Sequence, residues 1–135
     1  MRKAFFLLIL VASFVLSACV PGVPSDKPVS SKEFLKGAVV KGFPQTPLVK
    51  GAQVLESYSN KGNFGASFIS DESLSKVINF YSDSLKQLGW EPDLKKRSDS
   101  NYFFEIKNAT QKGTVIVNTA ADSKKTAISI FISPR

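Results

Sequence analysis

The chain has 135 residues, carries 18 Lys and Arg against 11 Asp and Glu, and contains no histidine and one cysteine. The absence of histidine excludes Ser-His-Asp and Cys-His catalytic sites and removes the commonest metal ligand. One cysteine cannot close a disulfide within the chain, so we expect a single small domain stabilised by packing.

The first 19 residues, MRKAFFLLILVASFVLSAC, have the layout of a secretory signal. Arg2 and Lys3 form a positive start, and residues 4–16 form an uncharged, mostly apolar run. A permanent membrane-spanning helix needs about 20 apolar residues, so this run is too short to be one. A charged start, an apolar middle and small residues at the end are typical of a signal peptide.

The end of this segment resembles the lipobox of bacterial lipoproteins, because Leu16, Ser17, Ala18 and Cys19 match it position by position. In that family the cysteine receives a diacylglyceryl group, and a peptidase cuts directly before it. The resemblance implies a lipoprotein signal peptide at residues 1–18 and a lipidated Cys19, acylated with chains such as palmitate. The alternatives are an ordinary signal peptide with a chance cysteine and a cysteine that belongs to the core.

A lipidated Cys19 implies a protein held in the cell envelope by its membrane anchor, with its folded part in the periplasm if the cell has one. In Gram-negative lipoproteins an Asp after the cysteine resembles an inner-membrane retention signal. This chain has Val20 there, which favours the outer membrane in such a cell. In any other cell the expected location is the outer face of the plasma membrane.

Residues 19–47 contain much Pro, Ser and Lys without a sustained period, which predicts a flexible tether after the lipidated cysteine. We place the globular domain at residues 48–135. Its first elements are two strands, at 52–58 and 64–70, joined by the turn sequence SNKGN. In the second strand Phe64, Ala66 and Phe68 alternate with Gly65, Ser67 and Ile69, so they share one face.

The next segment, DESLSKVINFYSDSLKQLGW, has the spacing of an amphipathic helix. Its apolar stripe consists of Leu74, Val77, Ile78, Tyr81, Leu85 and Leu88. Ser70 or Asp71 is the expected N-cap, and Gly89 suits the left-handed position after the last turn. Trp90 is then expected to pack back on the helix rather than to bind a ligand.

Three further strands are predicted after the polar connection PDLKKRSDS, in NYFFEIK, GTVIVNT and TAISIFI. The residues that share one face within these strands are Tyr102, Phe104 and Ile106, then Val115 and Val117, then Ile128, Ile130 and Ile132. Short polar connections favour antiparallel neighbours. We predict an α+β domain of order ββαβββ, with a single antiparallel sheet of about five strands and one helix packed on one face.

Residues 48–133 resemble a small module associated with bacterial lipoproteins and other exported proteins. The helix of that module reads V..FY...L...GW, and the matching residues here are Val77, Phe80, Tyr81, Leu85, Gly89 and Trp90. The turn before its first strand usually reads PGA, whereas this chain has Lys50, Gly51 and Ala52. The matching positions are packing residues, so the resemblance implies a fold and no activity.

No catalytic residue, cofactor or metal site is predicted. The chain lacks a phosphate-binding loop, and its one thiol is expected to be lipidated. Asp71 and Glu72 are neighbours at a helix start, where they compensate the dipole more readily than they form an acid–base pair. A histidine-free hydrolase that uses carboxylates or a Ser-Lys pair is the weakest of the functional alternatives.

Five cations form two clusters that can contact anions, Lys95, Lys96 and Arg97 after the helix and Lys124 and Lys125 in the last turn. Loss of residues 1–18 lowers the formal net charge from +7 to +5, which still attracts anionic lipids or envelope polymers. The alternative is a solvated surface of mixed charge. Neither the pattern nor the compartment favours nucleic acid.

A possible interaction patch is predicted on the sheet face that the helix does not cover, at Phe103, Ile116 and Phe131. The alternative is that the tether or the first strands cover these residues. The leading functional interpretation is a membrane-anchored, non-catalytic binding module that recognises an envelope protein or an anionic envelope polymer. The second is a structural lipoprotein that assembles through the face or edge of its sheet.

Overall fold

One antiparallel sheet with a helix on one face makes up the part of the chain that the structure describes, residues 32–122 and 124–135 of a computed structural model. The elements are β1 (Lys32–Lys36), β2 (Gln53–Asn60), β3 (Asn63–Ser70), α1 (Leu74–Gln87), β4 (Glu91–Ser98), β5 (Asn101–Lys107), β6 (Gln111–Thr119) and β7 (Thr126–Pro134). The strand order is β1-β2-β3-β7-β6-β5-β4, and every neighbouring pair is antiparallel. The predicted α+β class with one antiparallel sheet and a single helix is therefore confirmed.

The predicted number of about five strands is wrong, because the sheet has seven. The two additional strands are β1, within the segment predicted as a tether, and β4, within the predicted polar connection. Both lie at the edges of the sheet, where a strand has one neighbour and needs no regular apolar alternation. Pro92 and the lysines of β4 are typical of an edge strand. The same polar composition is also typical of a loop, which is why β4 was predicted as a connection.

Helix α1 packs on the sheet through the predicted stripe, with Val77, Tyr81 and Leu85 completely buried. Leu88, at the end of the stripe, is 37% exposed. The predicted caps at Ser70 and Asp71 are wrong, because the helix begins at Leu74 with Ser73 in the N-cap position. Ser70 instead accepts a hydrogen bond from the backbone of Glu72, and Asp71 pairs with Lys125. These contacts stabilise the connection before the helix rather than its first turn.

The predicted end of α1 is confirmed. Gly89 has a φ of 83°, and its N–H donates to the carbonyl of Lys86 at 3.1 Å. The N–H of Trp90 donates to the carbonyl of Leu85 at 3.1 Å, which completes a Schellman motif. The Trp90 side chain is buried in the core, and its indole N–H donates to the carbonyl of Gln45 at 3.0 Å.

The core lies between α1 and one face of the sheet. The strand residues buried there are Ala66, Phe68, Phe104, Ile106, Val115, Val117, Ile128, Ile130 and Ile132. Every position in this set follows the predicted alternation. Residues 37–49 run along the same side, where the N–H of Val40 donates to Ser57 Oγ at 2.8 Å and Phe43 packs edge-on against Phe64. This segment therefore extends the helix-side layer, and among residues 32–122 and 124–135 no element lies over the opposite sheet face.

No helix in the described part of the chain is long and apolar enough to cross a bilayer. Cys19 and the predicted signal segment lie outside the described residues.

Candidate binding face

The sheet face opposite α1, here called the open face, carries the three residues of the predicted interaction patch. Phe103 and Ile116 are direct partners across β5 and β6, and both are half-buried. Phe131 pairs with Thr114, which makes it a diagonal neighbour of Ile116, and it is 41% exposed. The described residues 37–49 cover the other side of the sheet. In the described part of the chain, β1 and β2 extend the open face sideways and do not lie over Phe103, Ile116 or Phe131.

Two more aromatic residues continue the open face from Phe131 toward β1. Phe34 pairs with Tyr58, Tyr58 pairs with Gly65, and Gly65 pairs with Phe131. Phe34, Tyr58 and Phe131, the aromatic row, therefore lie on one line across four strands. Phe34 is 55% exposed and Tyr58 is 38% exposed. Sequence analysis missed Phe34 because its strand was not predicted.

The ring of Tyr58 lies directly over Gly65. A side-chain carbon at Gly65 would overlap three atoms of that ring, so the absence of a side chain allows the ring to rest on the backbone of β3. The Tyr58 side chain is still partly exposed to solvent. In the sequence, Tyr58 and Gly65 lie at equivalent positions on the two sides of the predicted turn. This spacing was the signal from which a tyrosine ring lying on a glycine could have been predicted.

A shallow hollow of about 790 Å³ lies beside Tyr58 and Phe131 on the open face. Its polar side is formed by Glu91, Asp93, Glu105, Lys107 and Lys112. A smaller hollow of about 280 Å³ lies on the other side of Tyr58, against Phe34 and β1. Tyr58 lines both hollows, so the two adjoin each other at this residue.

Ion pairs order the polar side of the larger hollow. Lys95 Nζ lies 2.5 Å from a carboxylate oxygen of Glu105 and 3.5 Å from one of Asp93. Lys107 Nζ lies 3.2 Å from a carboxylate oxygen of Glu91. The hydrogen bond to Glu105 raises the pKa of Lys95 above its usual value. The hollow is lined by three carboxylates and by Lys107 and Lys112, and Lys95 pairs with two of the carboxylates, so charged groups of both signs lie along this side.

The five cations predicted to contact anions do not form one site. Lys95, Lys96 and Arg97 lie on edge strand β4, whereas Lys124 and Lys125 lie in the β6–β7 turn, and strands β5 and β6 separate the two clusters. Most of the five also contact groups of the domain itself.

Besides Lys95, three of the five cations contact a partner within the domain. Lys96 pairs with Asp99 at 2.6 Å, which raises the pKa of Lys96 and lowers that of Asp99. Lys125 pairs with Asp71 at 3.2 Å. The Arg97 guanidinium lies 5.1 Å from the ring centre of Phe103. Lys124 is exposed.

Within residues 32–122 and 124–135, no group of three or more His, Cys, Asp or Glu side chains is arranged to hold a metal ion. The open face combines exposed aromatic rings with polar side chains that ion pairs hold in place, and this arrangement is suited to binding another molecule. Comparison of the chain with protein-family models, curated proteins and solved structures gives no match.

Proposed function

We propose that this protein is a lipid-anchored lipoprotein of the cell envelope and that its domain is a non-catalytic binding module. The observation that carries the binding role is the open face, where the aromatic row lies exposed beside two shallow hollows. Apolar surface left in water costs about 25 cal/mol per Å², so a row of exposed rings favours a face that a ligand covers.

The anchor rests on the match of residues 16–19 to the lipobox. One acyl chain binds a membrane only reversibly, whereas two or three chains on Cys19 hold a protein there stably. Mass spectrometry of the mature wild-type protein is expected to show acylated Cys19 as its first residue. Cys19→Ser is expected to abolish both acylation and cleavage. A mature chain that begins elsewhere and has a free thiol would contradict the anchor.

The binding role is tested by crosslinking in intact cells, followed by recovery of the protein and identification of the attached proteins or polymers. The double variant Phe34→Ser/Phe131→Ser is expected to lose these components, because it removes both ends of the aromatic row. The control Leu55→Ser/Leu94→Ser removes two leucines that are 49% and 44% exposed but do not line either hollow. Equal recovery with the two double variants would contradict binding through the open face.

A role in assembly through the strand edges is less well supported. The edge strand β1 is short and carries Lys32 and Lys36, and the edge strand β4 contains Pro92 and Lys96. Lysine and proline on edge strands are features that prevent pairing with another sheet. The open face is therefore the better supported surface for contact with another molecule.

A further inference from the structure

We infer that the open face binds a neutral glycan chain, laid across the strands along the aromatic row and into the polar side of the larger hollow. This inference rests on the proposed binding function, because it names the class of ligand that the same face takes.

The aromatic row provides surfaces on which sugar rings can stack. A pyranose ring presents a face of C–H groups with partial positive charge, and the face of an aromatic ring is negative. The ring of Tyr58 lies against β3 at Gly65, and the residue is 38% exposed, so part of it is accessible before a ligand arrives. Such preorganisation reduces the entropic cost of binding.

The dimensions of the row suit a short chain rather than one sugar. Neighbouring strands lie about 4.8 Å apart, so the three strand spacings from Phe34 to Phe131 cover about 14 Å. The larger hollow continues this line past Phe131 to Thr114, Glu105 and Asp93, which occupy the same cross-strand row. A volume of about 790 Å³ lies within the range of ligand sites.

The polar side of the hollow provides acceptors for hydroxyl groups. Ionised carboxylates form stronger hydrogen bonds than neutral acceptors do, and each carboxylate has two oxygens with which to accept. Lys95 holds Glu105 and Asp93 in place, since it lies within ion-pair distance of both. These carboxylates keep further lone pairs for a ligand, because each of the two uses only one oxygen toward Lys95.

The hollow is lined by charged groups of both signs, which favours a neutral ligand. Glu91, Asp93 and Glu105 would repel an anionic polymer. Lys107 and Lys112, with Lys95 beside the carboxylates, would repel a polycation. An uncharged, hydroxyl-rich chain would be repelled by neither set of charges. The structure therefore favours a neutral glycan over the anionic polymer that the net positive charge of the chain indicated.

The test is isothermal titration calorimetry of the full-length chain in a zwitterionic detergent without a sugar headgroup. The probes are chitotetraose and cellotetraose as neutral glycans and polyphosphate as an anionic polymer. We expect saturable binding of at least one neutral tetrasaccharide and no binding of polyphosphate. Tyr58→Ala is expected to weaken the glycan affinity by about tenfold, the effect of losing one stacking surface. Leu94→Ala, a control on the helix side of the sheet, is expected to leave the affinity unchanged.

Two further variants separate a loss of binding from a loss of folding. Gly65→Ala keeps every ring of the row but lifts Tyr58 from the sheet, so it should weaken glycan binding several-fold while the thermal unfolding transition remains cooperative. Asp93→Asn/Glu105→Gln should also weaken it, because the charged acceptors are lost. Saturation-transfer NMR should place the sugar protons against aromatic side chains in the wild type and give a weaker signal for Tyr58→Ala.

Three results would overturn the inference. One is binding of polyphosphate, strengthened by Asp93→Asn/Glu105→Gln, without binding of either glycan. Another is a dimer, detected by light scattering, that Tyr58→Ala dissociates and that buries the face. The third is the absence of glycan binding in a chain whose crosslinked partners still depend on Phe34 and Phe131. This third result would leave the proposed binding function intact, whereas loss of that dependence would remove the function itself.

Discussion

Gly113 lies in β6 at a point where the sheet leaves no room for a side chain. A side-chain carbon there would overlap the carbonyl oxygen of Phe131 and approach the Cα of Ile132 to 3.1 Å. Backbone atoms cannot turn away as the ring over Gly65 can. Gly113→Ala should therefore lower the free energy of unfolding by about 1–3 kcal/mol, as overpacking does elsewhere.

Denaturant melts of the full-length chain in detergent measure this effect. Thr114→Ala is the matched control, because Thr114 is the next residue and points to the open face, where its side chain is half-buried. A loss as large for Thr114→Ala as for Gly113→Ala would contradict a steric role for Gly113.

Asp122 is a second residue whose environment can be measured directly. One of its carboxylate oxygens accepts hydrogen bonds from the backbone N–H groups of Lys124 and Lys125, at 3.0 and 3.1 Å. These bonds favour the charged form and lower the pKa of Asp122 below its usual value. The stabilisation is present above the pKa of the unfolded chain, about 3.9, and is lost as the pH falls through the lower folded value.

A carbon-detected NMR titration of the Asp122 carboxyl should show its midpoint below that of an unstructured aspartate. A midpoint at or above the usual value would show that the turn does not hold the carboxylate in solution.

At the scale of elements, α1 is the part that sequence periodicity predicted best. The last two leucines of its predicted stripe show, however, that a position with the right spacing is not always buried. Leu85 is fully buried under Trp90 and the strands, whereas Leu88, on the same predicted stripe, follows the last helical turn and is 37% exposed. Leu85→Ala should cost about 2–5 kcal/mol of unfolding free energy, because it leaves a cavity. Leu88→Ala should cost much less. Similar unfolding midpoints for these two variants in denaturant melts would show that the buried face of the helix has been assigned incorrectly.

The strands at the two edges of the sheet were the elements that sequence analysis missed. β1 and β4 contain lysines, and β4 begins with Glu91 and Pro92, so both have the composition of a loop. Each strand instead forms by pairing along its whole length with one neighbour, β2 or β5. The central strands were predictable because they bury one face under α1, which imposes a strict alternation of apolar residues.

At the scale of the whole molecule, the strand order predicts how local stability is distributed. β7 pairs with both β3 and β6 and joins parts of the chain that are far apart in sequence, whereas β1 pairs with β2 alone. Backbone amides of β7 should therefore exchange with solvent deuterium slowest, and those of β1 and β4 fastest. Protection of β1 equal to that of β7 would contradict this order and indicate that another molecule covers that edge.

The sequence by itself determined which residues face the core, because the period of a strand or helix is a local property. The alternation of Val115, Val117, Ile128 and Ile130 and the Gly89 stop were readable without any knowledge of neighbours. Phe103, Ile116 and Phe131 were placed on the face away from the helix by the same alternation.

Only the tertiary structure decided which strands are neighbours, and the candidate site depends on that choice. The aromatic row exists because β3 separates Tyr58 from Phe131 and because β1 extends the sheet beyond β2. The ion pairs of Lys95 depend in the same way on the pairing of β4 with β5. Contacts between strands are set by register and order over long stretches of chain, and local periodicity carries no information about either.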